Sequence, residues 1–244
     1  MQAGTNHPGR APHKPASEAS RSLAGVGIFT GISVPERAAL EKRCRWQSFA
    51  AGAEIIDREN DSREVYFVVT GAVRVVNYSL SGREVSFAEI RAGGCFGELA
   101  AIDGHPRSAN VVAIDDTVTA CLPGTVFVDV LAHHPSASLE LMRRLAAVVR
   151  QATGRIMDLS TMGAHNRIYA ELLREASPAG GNRAKLQPIP VHADLAARVS
   201  TTRETVARAL GDLTRKGIAK REGDALIILD VARLADMVQH FQNE

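Results

Sequence analysis

Phe96-Gly97-Glu98-Leu99-Ala100-Ala101-Ile102-Asp103-Gly104-His105-Pro106-Arg107-Ser108-Ala109-Asn110-Val111 is the stretch from which the rest of the chain can be read. Gly93 and Gly94 just ahead of it, and Gly97 within it, permit tight turns and a close approach of backbone N–H groups to an anion. From Gly97 onward the residues suit the start of a short helix, whose N-terminus also favours an anion. Arg107 supplies a guanidinium that can grip a phosphate with two N–H bonds. Ser108 adds a hydroxyl donor, and Glu98 can accept a hydrogen bond from a sugar hydroxyl. One cation with backbone donors suits a singly charged phosphodiester. A triphosphate would call for a Walker lysine and magnesium, and no G-x-x-x-x-G-K-[ST] occurs.

On either side of this stretch, short apolar runs alternate with Gly and Asp/Asn punctuation from Trp46 to about Val126. Glu54–Ile56, Val65–Val69 and Ala72–Val76 precede it together with Val85–Ala88, and Asn110–Ile114 and Val118–Leu122 close it. Ser81-Gly82 reads as a hairpin turn between two of these runs. Regularly spaced short strands predict an antiparallel barrel or jelly roll. Upstream, Val34-Pro35-Glu36-Arg37 starts a helix, with Pro35 near its first position.

Downstream the period becomes helical. Phe127–Ala132 predicts a short helix that stops at His133-His134-Pro135, and a long helix follows from about Ser136 to past Leu159. Along it Met142, Leu145, Val149, Ala152, Ile156 and Leu159 recur at alternating spacings of three and four. So narrow a seam on so long a helix predicts a two-helix contact in a homodimer. A further helix runs near Asn166–Ala176 and breaks at Ser177-Pro178-Ala179-Gly180-Gly181. The last segment reads helix (His192–Val199), turn (Ser200-Thr201), helix (Thr202–Lys216, ended by Gly217), then a β-hairpin wing over Ile218–Leu229 folded at Gly223-Asp224. Thr201 and Glu204 have capping-box spacing, so Thr201 or its neighbour caps the second helix. Val206, Leu210 and Leu213, joined by Leu195 and Val199, form the expected buried stripe.

Charge is unevenly spread. The 244 residues carry a formal net charge of +2, yet from Arg183 to Glu222 nine Lys/Arg stand against four Asp/Glu. That asymmetry points to an anionic partner for the C-terminal part. Arg203, Glu204 and Arg208 lie near the start of the second helix; arginine can bond guanine O6 and N7, and glutamate can accept from cytosine N4. The three cysteines, Cys44, Cys95 and Cys121, form no zinc, disulfide or redox pattern, which fits a reducing cytoplasm. No apolar run approaches a membrane span, and no signal-peptide core opens the chain. Residues 1–22 are rich in Pro, Gly, Ser, Ala and His and read as a disordered tail, His7 and His13 included. No nucleophile–base pair or metal motif supports an enzyme, and His105 has no evident partner.

The Phe96–Val111 stretch resembles the phosphate-binding cassette of cyclic-nucleotide-binding domains, in the form found in cAMP-dependent protein kinase regulatory subunits and in the catabolite activator (CRP/FNR) family of transcription regulators. Thr202-Arg203-Glu204-Thr205-Val206-Ala207-Arg208 is similar to that family's recognition helix. The likeness covers about residues 25–230. It implies that Glu98 binds the ribose 2′-hydroxyl, that Arg107 pairs with the cyclic phosphate, that Ser108 binds phosphate, and that Gly97 and Leu99 shape the turn. Counting back from Arg167 places Ala152-Thr153 at the base, whereas counting forward from Arg143-Arg144-Leu145 places Val148-Val149 there; Thr153 is the candidate base contact. The Arg-Ser-Ala-Asn-Val run also resembles cGMP-binding cassettes, so cAMP is the expected ligand and cGMP the alternative. Arg203, Glu204 and Arg208 carry over as base contacts, Thr202 and Thr205 as phosphate contacts, and TGTGA-like half-sites form the expected palindrome.

The expected architecture is α+β: a tail (1–22), a jelly-roll cyclic-nucleotide-binding domain (23–134), a dimerisation helix and hinge (135–162), and a winged helix-turn-helix (163–244). The expected partners are double-stranded DNA, a second copy of the chain and, for an activator, RNA polymerase. A relative that senses gas or redox state through the same fold is the competing reading. It would need clustered cysteines or an axial ligand, and such relatives usually lose the cassette charges.

Overall fold

The computed structural model describes residues 14–15, 21–80 and 82–239. The elements run in chain order as follows. β1 (Lys14–Pro15), α1 (Val34–Arg43), β2 (Arg45–Phe49), β3 (Glu54–Ile56), β4 (Val65–Thr70), β5 (Ala72–Tyr78), β6 (Glu84–Arg91) and β7 (Cys95–Phe96) come first. Then come α2 (Glu98–Asp103), β8 (Asn110–Ala113), β9 (Thr117–Leu122), α3 (Gly124–His133), α4 (Pro135–Thr161) and α5 (Ala164–Glu175). Last are β10 (Ser177–Pro178), β11 (Ala184–Leu186), α6 (His192–Arg198), α7 (Arg203–Arg215), β12 (Ala219–Glu222), β13 (Ala225–Ile228) and α8 (Val231–Gln239).

Two compact units share the chain: residues up to Asn77 with Ser86–Ala146, and Tyr78–Val85 with Ala147 onward. The first unit is built on two antiparallel sheets, ordered β1-β2-β9-β4-β7 and β3-β8-β5-β6. β4 explains why an apolar run, rather than an alternating one, marks a strand here. Val65 and Phe67 face a core shared with Phe29, Leu122 and Phe127, while Tyr66 and Val68 face a second core with Phe49, Val73, Phe96 and Val111. Both faces are covered from Val65 to Val68, so these positions are all apolar. Phe67 lies between Phe29 and Phe127 at centroid distances of 4.7 and 6.0 Å, and Tyr66 stacks on Phe96 at 5.1 Å. β2 and β7, which the sequence reading did not separate as strands, complete the larger sheet.

α1 begins where Pro35 suggested, with Ser33 and Glu36 in a reciprocal capping box. The β5–β6 hairpin closes by Ser79 N–H donating to Arg83 O at 2.9 Å, with Gly82 at φ +75°. Ser81 of the expected Ser81-Gly82 turn lies outside the described residues, as does most of the expected tail, within which Lys14–Pro15 pairs with β2. α4 is 27 residues long. Ala137 and Leu141 are buried and Leu145 packs on the same core, whereas Met142, Val149, Ile156 and Leu159 of the seam are exposed. Among the described residues no helix is long and apolar enough to cross a membrane.

The second unit has its own core: Ile168, Tyr169 and Leu172 of α5, Leu195 and Val199, Val206 and Leu213 of α7, and Ile218, Leu226, Ile228 and Leu234. Its sheet is ordered β10-β11-β13-β12, so the wing expected over Ile218–Leu229 gains two further strands, and α8 closes the core. Two local expectations are sharpened. The stripe of α7 includes fully buried Ala209 beside Val206 and Leu213, and Leu210 packs half-buried against the same core. The cap of α7 is Thr202, whose hydroxyl accepts from Thr205 N–H at 3.3 Å; Thr201 is buried one residue earlier.

Candidate functional site

Strand β7 delivers the chain into Gly97, which takes φ +81° and caps α2. A Cβ there would lie 2.6 Å from Arg107 Nη1 and 2.9 Å from Glu64 O, so both the backbone angle and the close approach require glycine. Glu98 follows at once and is 9% exposed; Arg107 returns after the Gly104 turn and is 4% exposed. Burial pushes the Glu98 carboxyl above its ordinary range, against a backbone hydrogen bond and the charges of Arg144 and Arg107 that pull it down. Burial likewise lowers the Arg107 pKa, countered by nearby groups including Glu64 and Glu98.

The Arg107 guanidinium is held on three acceptors. Nη1 donates to Gly97 O at 2.9 Å, Nη2 to Glu64 O at 2.8 Å and to Ser62 Oγ at 3.0 Å, and Nε to Ser62 Oγ at 3.3 Å. Ser108 is exposed, and its carbonyl accepts from Asn77 Nδ2 at 3.3 Å; Leu99 is exposed on α2. Gly97, Glu98, Leu99, Arg107 and Ser108 therefore all belong to the first unit, about one turn and one short helix.

Two neighbours of this cluster were missed by sequence reasoning. Arg144 of α4 donates to Cys95 O and sits near Glu98. Its signal was present, since it follows buried Leu141 by three residues and so shares the inward face of α4. Ser62 had no signal, because its contact to Arg107 spans 45 residues and uses an ordinary hydroxyl. Thr153 lies in the second unit, exposed, with its hydroxyl donating to Val149 O at 3.0 Å; Val148 and Val149 are exposed as well.

The five other predicted residues cluster at the start of α7. Thr202, Arg203, Glu204 and Arg208 are exposed and Thr205 is half-buried. Thr202 and Thr205 hydroxyls are 3.2 Å apart, and Arg208 Nη2 donates to Thr205 Oγ1 at 3.4 Å. A backbone hydrogen bond, then one with Thr202, and then the charges of Arg203 and Arg208 hold the Glu204 carboxyl below its usual range. The turn before α7 places Ser200 at φ +54°, and Arg167 of α5 fastens it. Arg167 donates to Met162 O at 2.7 Å, Val199 O at 2.9 Å and Ser200 O at 3.4 Å. α6 is pinned to α5 through Arg198, whose side chain lies 3.3 Å from buried Glu171 and 2.9 Å from Glu175.

Burial also disposes the thiols. Cys44 and Cys95 are pushed up to about 12 and Cys121 to about 11, so all three are held as thiols rather than thiolates.

Comparison with known proteins follows this division of the chain. Residues 46–134 match the cyclic nucleotide-binding domain, and residues 166–237 match the Crp-like helix-turn-helix domain. A CRP-like cAMP-activated global transcriptional regulator of Mycobacterium tuberculosis is 27% identical over 216 residues, 87% of this chain and 96% of that protein. A cyclic AMP receptor protein of Thermus thermophilus is 26% identical over 88% of this chain and 98% of its own. Among solved structures, a CooA mutant from Carboxydothermus hydrogenoformans covers 88% of this chain and 96% of its own, with a TM-score of 0.75 at 21% identity. A CRP/FNR-family transcriptional regulator from Thermus thermophilus covers 80% of this chain and 98% of its own, with a TM-score of 0.58 at 27% identity.

Proposed function

The chain belongs to the CRP/FNR family of transcription regulators, with a cyclic nucleotide-binding domain and a Crp-like helix-turn-helix domain, and on that premise we propose that it is a cAMP-responsive homodimer that reads a TGTGA-like palindrome. One observation carries the ligand half: a buried carboxylate, Glu98, and a buried guanidinium, Arg107, flank a glycine turn into which no Cβ fits. An acid for a sugar hydroxyl beside a cation for one phosphate charge suits a cyclic nucleotide. In this reading Glu98 takes the ribose, Arg107 and Ser108 take the phosphate, Gly97 and Leu99 shape the turn, and Thr153 meets the base. The two named relatives are described by cAMP, which favours it over cGMP.

The DNA half rests on α7, capped by Thr202 and anchored by Val206, Ala209 and Leu213. Arg203, Glu204 and Arg208 project from its first turns as base readers, and Thr202 and Thr205 face phosphates. The exposed apolar seam of α4 supports pairing with a second copy. Nucleotide binding then shifts a population toward dimers whose recognition helices stand about 34 Å apart, one turn of DNA. Contact with RNA polymerase follows if the regulator activates. A thiol-based redox sensor is disfavoured by the raised thiol pKa values, since the thiolate is the reactive form.

The test is a titration of a labelled palindrome by the dimer without ligand, with cAMP and with cGMP. Tighter binding with cAMP is expected. Equal affinity in all three conditions overturns the proposal, and a preference for cGMP reassigns the base contact.

A further inference from the structure

Arg107 is gripped by three acceptors, and two of them, Gly97 O and Glu64 O, are backbone carbonyls that substitution cannot remove. The third, Ser62 Oγ, takes bonds from both Nε and Nη2. Ser62 is itself held. Its N–H donates to Asn60 Oδ1 at 2.8 Å, and Arg58 N–H of the same loop donates to Asn110 Oδ1 at 2.8 Å. The loop is thereby tied to the cassette three residues past Arg107. A guanidinium has five N–H groups in a rigid plane. The Nε and Nη2 hydrogens are directed at Ser62 and Glu64, and one Nη1 hydrogen at Gly97. The second Nη1 hydrogen is the one these contacts leave for an anion at the glycine turn.

We propose that Ser62 is a positioning residue for Arg107, its hydroxyl fixing the guanidinium plane so that the Nη1 edge meets the cyclic phosphate. The inference rests on the cyclic-nucleotide reading of the cassette and adds a residue from outside it. Without the hydroxyl, the guanidinium keeps only its two carbonyl partners and can rotate about them. The phosphate must then order it on binding, which weakens affinity without altering the bond finally made. A threonine at the same place keeps the hydroxyl and should keep the orientation.

Two measurements on the full-length protein test this. Calorimetric titration with cAMP and with cGMP compares wild type, Ser62→Ala and Ser62→Thr. Ser62→Ala is expected to bind either nucleotide about tenfold more weakly, the scale of a hydrogen bond to a charged group. Ser62→Thr is expected to stay within about twofold of wild type. In ligand-free protein, the Arg107 Nε–H signal in nitrogen–proton NMR, assigned by its loss in Arg107→Lys, should exchange faster with water in Ser62→Ala than in wild type or Ser62→Thr. Wild-type affinity in Ser62→Ala, or an equal loss in both variants, overturns the proposal. So does unchanged Nε–H exchange. If the wild-type protein binds neither nucleotide, the cassette reading fails on its own, and the exchange rates still decide whether Ser62 holds Arg107.

Discussion

Arg107 is 4% exposed and held by four hydrogen bonds, whereas Arg203 and Arg208, the expected base readers, stand in solvent at the start of α7. Glu98 and Glu204 repeat the contrast: burial raises the first carboxyl, and local hydrogen bonds lower the second. A buried ion must bring its own partners, because desolvation without them costs several kcal/mol per ion. The buried ions of the cassette are therefore partnered by distant pieces of chain, namely the β3–β4 loop, β7 and α4. A solvated reader needs only a stable helix beneath it, so α7 needs a cap and a core. On the proposed reading, one site is preorganised for a small anion, and the other keeps its charges hydrated until DNA replaces the water.

That contrast can be broken first at Arg107. Arg107→Ala should lower cyclic-nucleotide affinity by more than about 100-fold, as removal of one partner of a buried charge array does. It should leave DNA-binding residues folded; calorimetry showing wild-type affinity would mean that the cassette is misread. Second, Glu171→Ala removes a buried carboxylate that pairs with both Arg198 and Arg174. A loss of about 3 kcal/mol in unfolding free energy is expected from denaturant titration, with nucleotide affinity retained. A loss below experimental error would show that the α5–α6 pair is as dispensable as a surface one.

Third, Arg203→Ala should cost about 1–3 kcal/mol at one base position with little change in stability. A uniform loss across all sequences would make Arg203 a phosphate contact. Fourth, Thr202→Ala removes the cap of α7 and should cost about 1 kcal/mol of stability, measured as a lowered denaturation midpoint. Last and smallest is pH. Because burial raises the Glu98 pKa, the folded state holds its proton more tightly than the unfolded state. Its contribution to stability is thus fully present below the unfolded-state pKa and is lost as pH rises through the folded-state value. Glu98→Gln should flatten that part of the stability–pH profile; an unchanged slope would place the titration elsewhere.

Legibility in the sequence followed chemistry and distance along the chain. The Gly97–Ser108 cassette and the Thr202–Arg208 helix start could be read because each is contiguous, and its residue types carry the chemistry at fixed local spacing. The strands of the jelly roll were visible as apolar runs, since β4 and β9 are covered on both faces. Short strands without such runs, β7 and β11, were not separately visible; they gain their identity from pairing with Tyr66–Phe67 and Leu226–Ile228. Leu210 reads as a core residue by type and packs half-buried on the core, while small Ala209 beside it is the position buried completely.

By itself, then, the sequence determined the order of the longer strands and helices, the glycine turn with its acid and its cation, and the capped helix bearing Arg203, Glu204 and Arg208. Local periodicity and backbone chemistry are enough for these. Only the tertiary structure decided that Arg107 rests on Ser62, Glu64 O and Gly97 O, that Arg144 closes on Cys95 O, and that Arg167 fastens the turn before α7. Those contacts join residues far apart in the chain or use backbone carbonyls, which every residue has. Their partners are selected by where the folded backbone puts them, and no spacing rule records that.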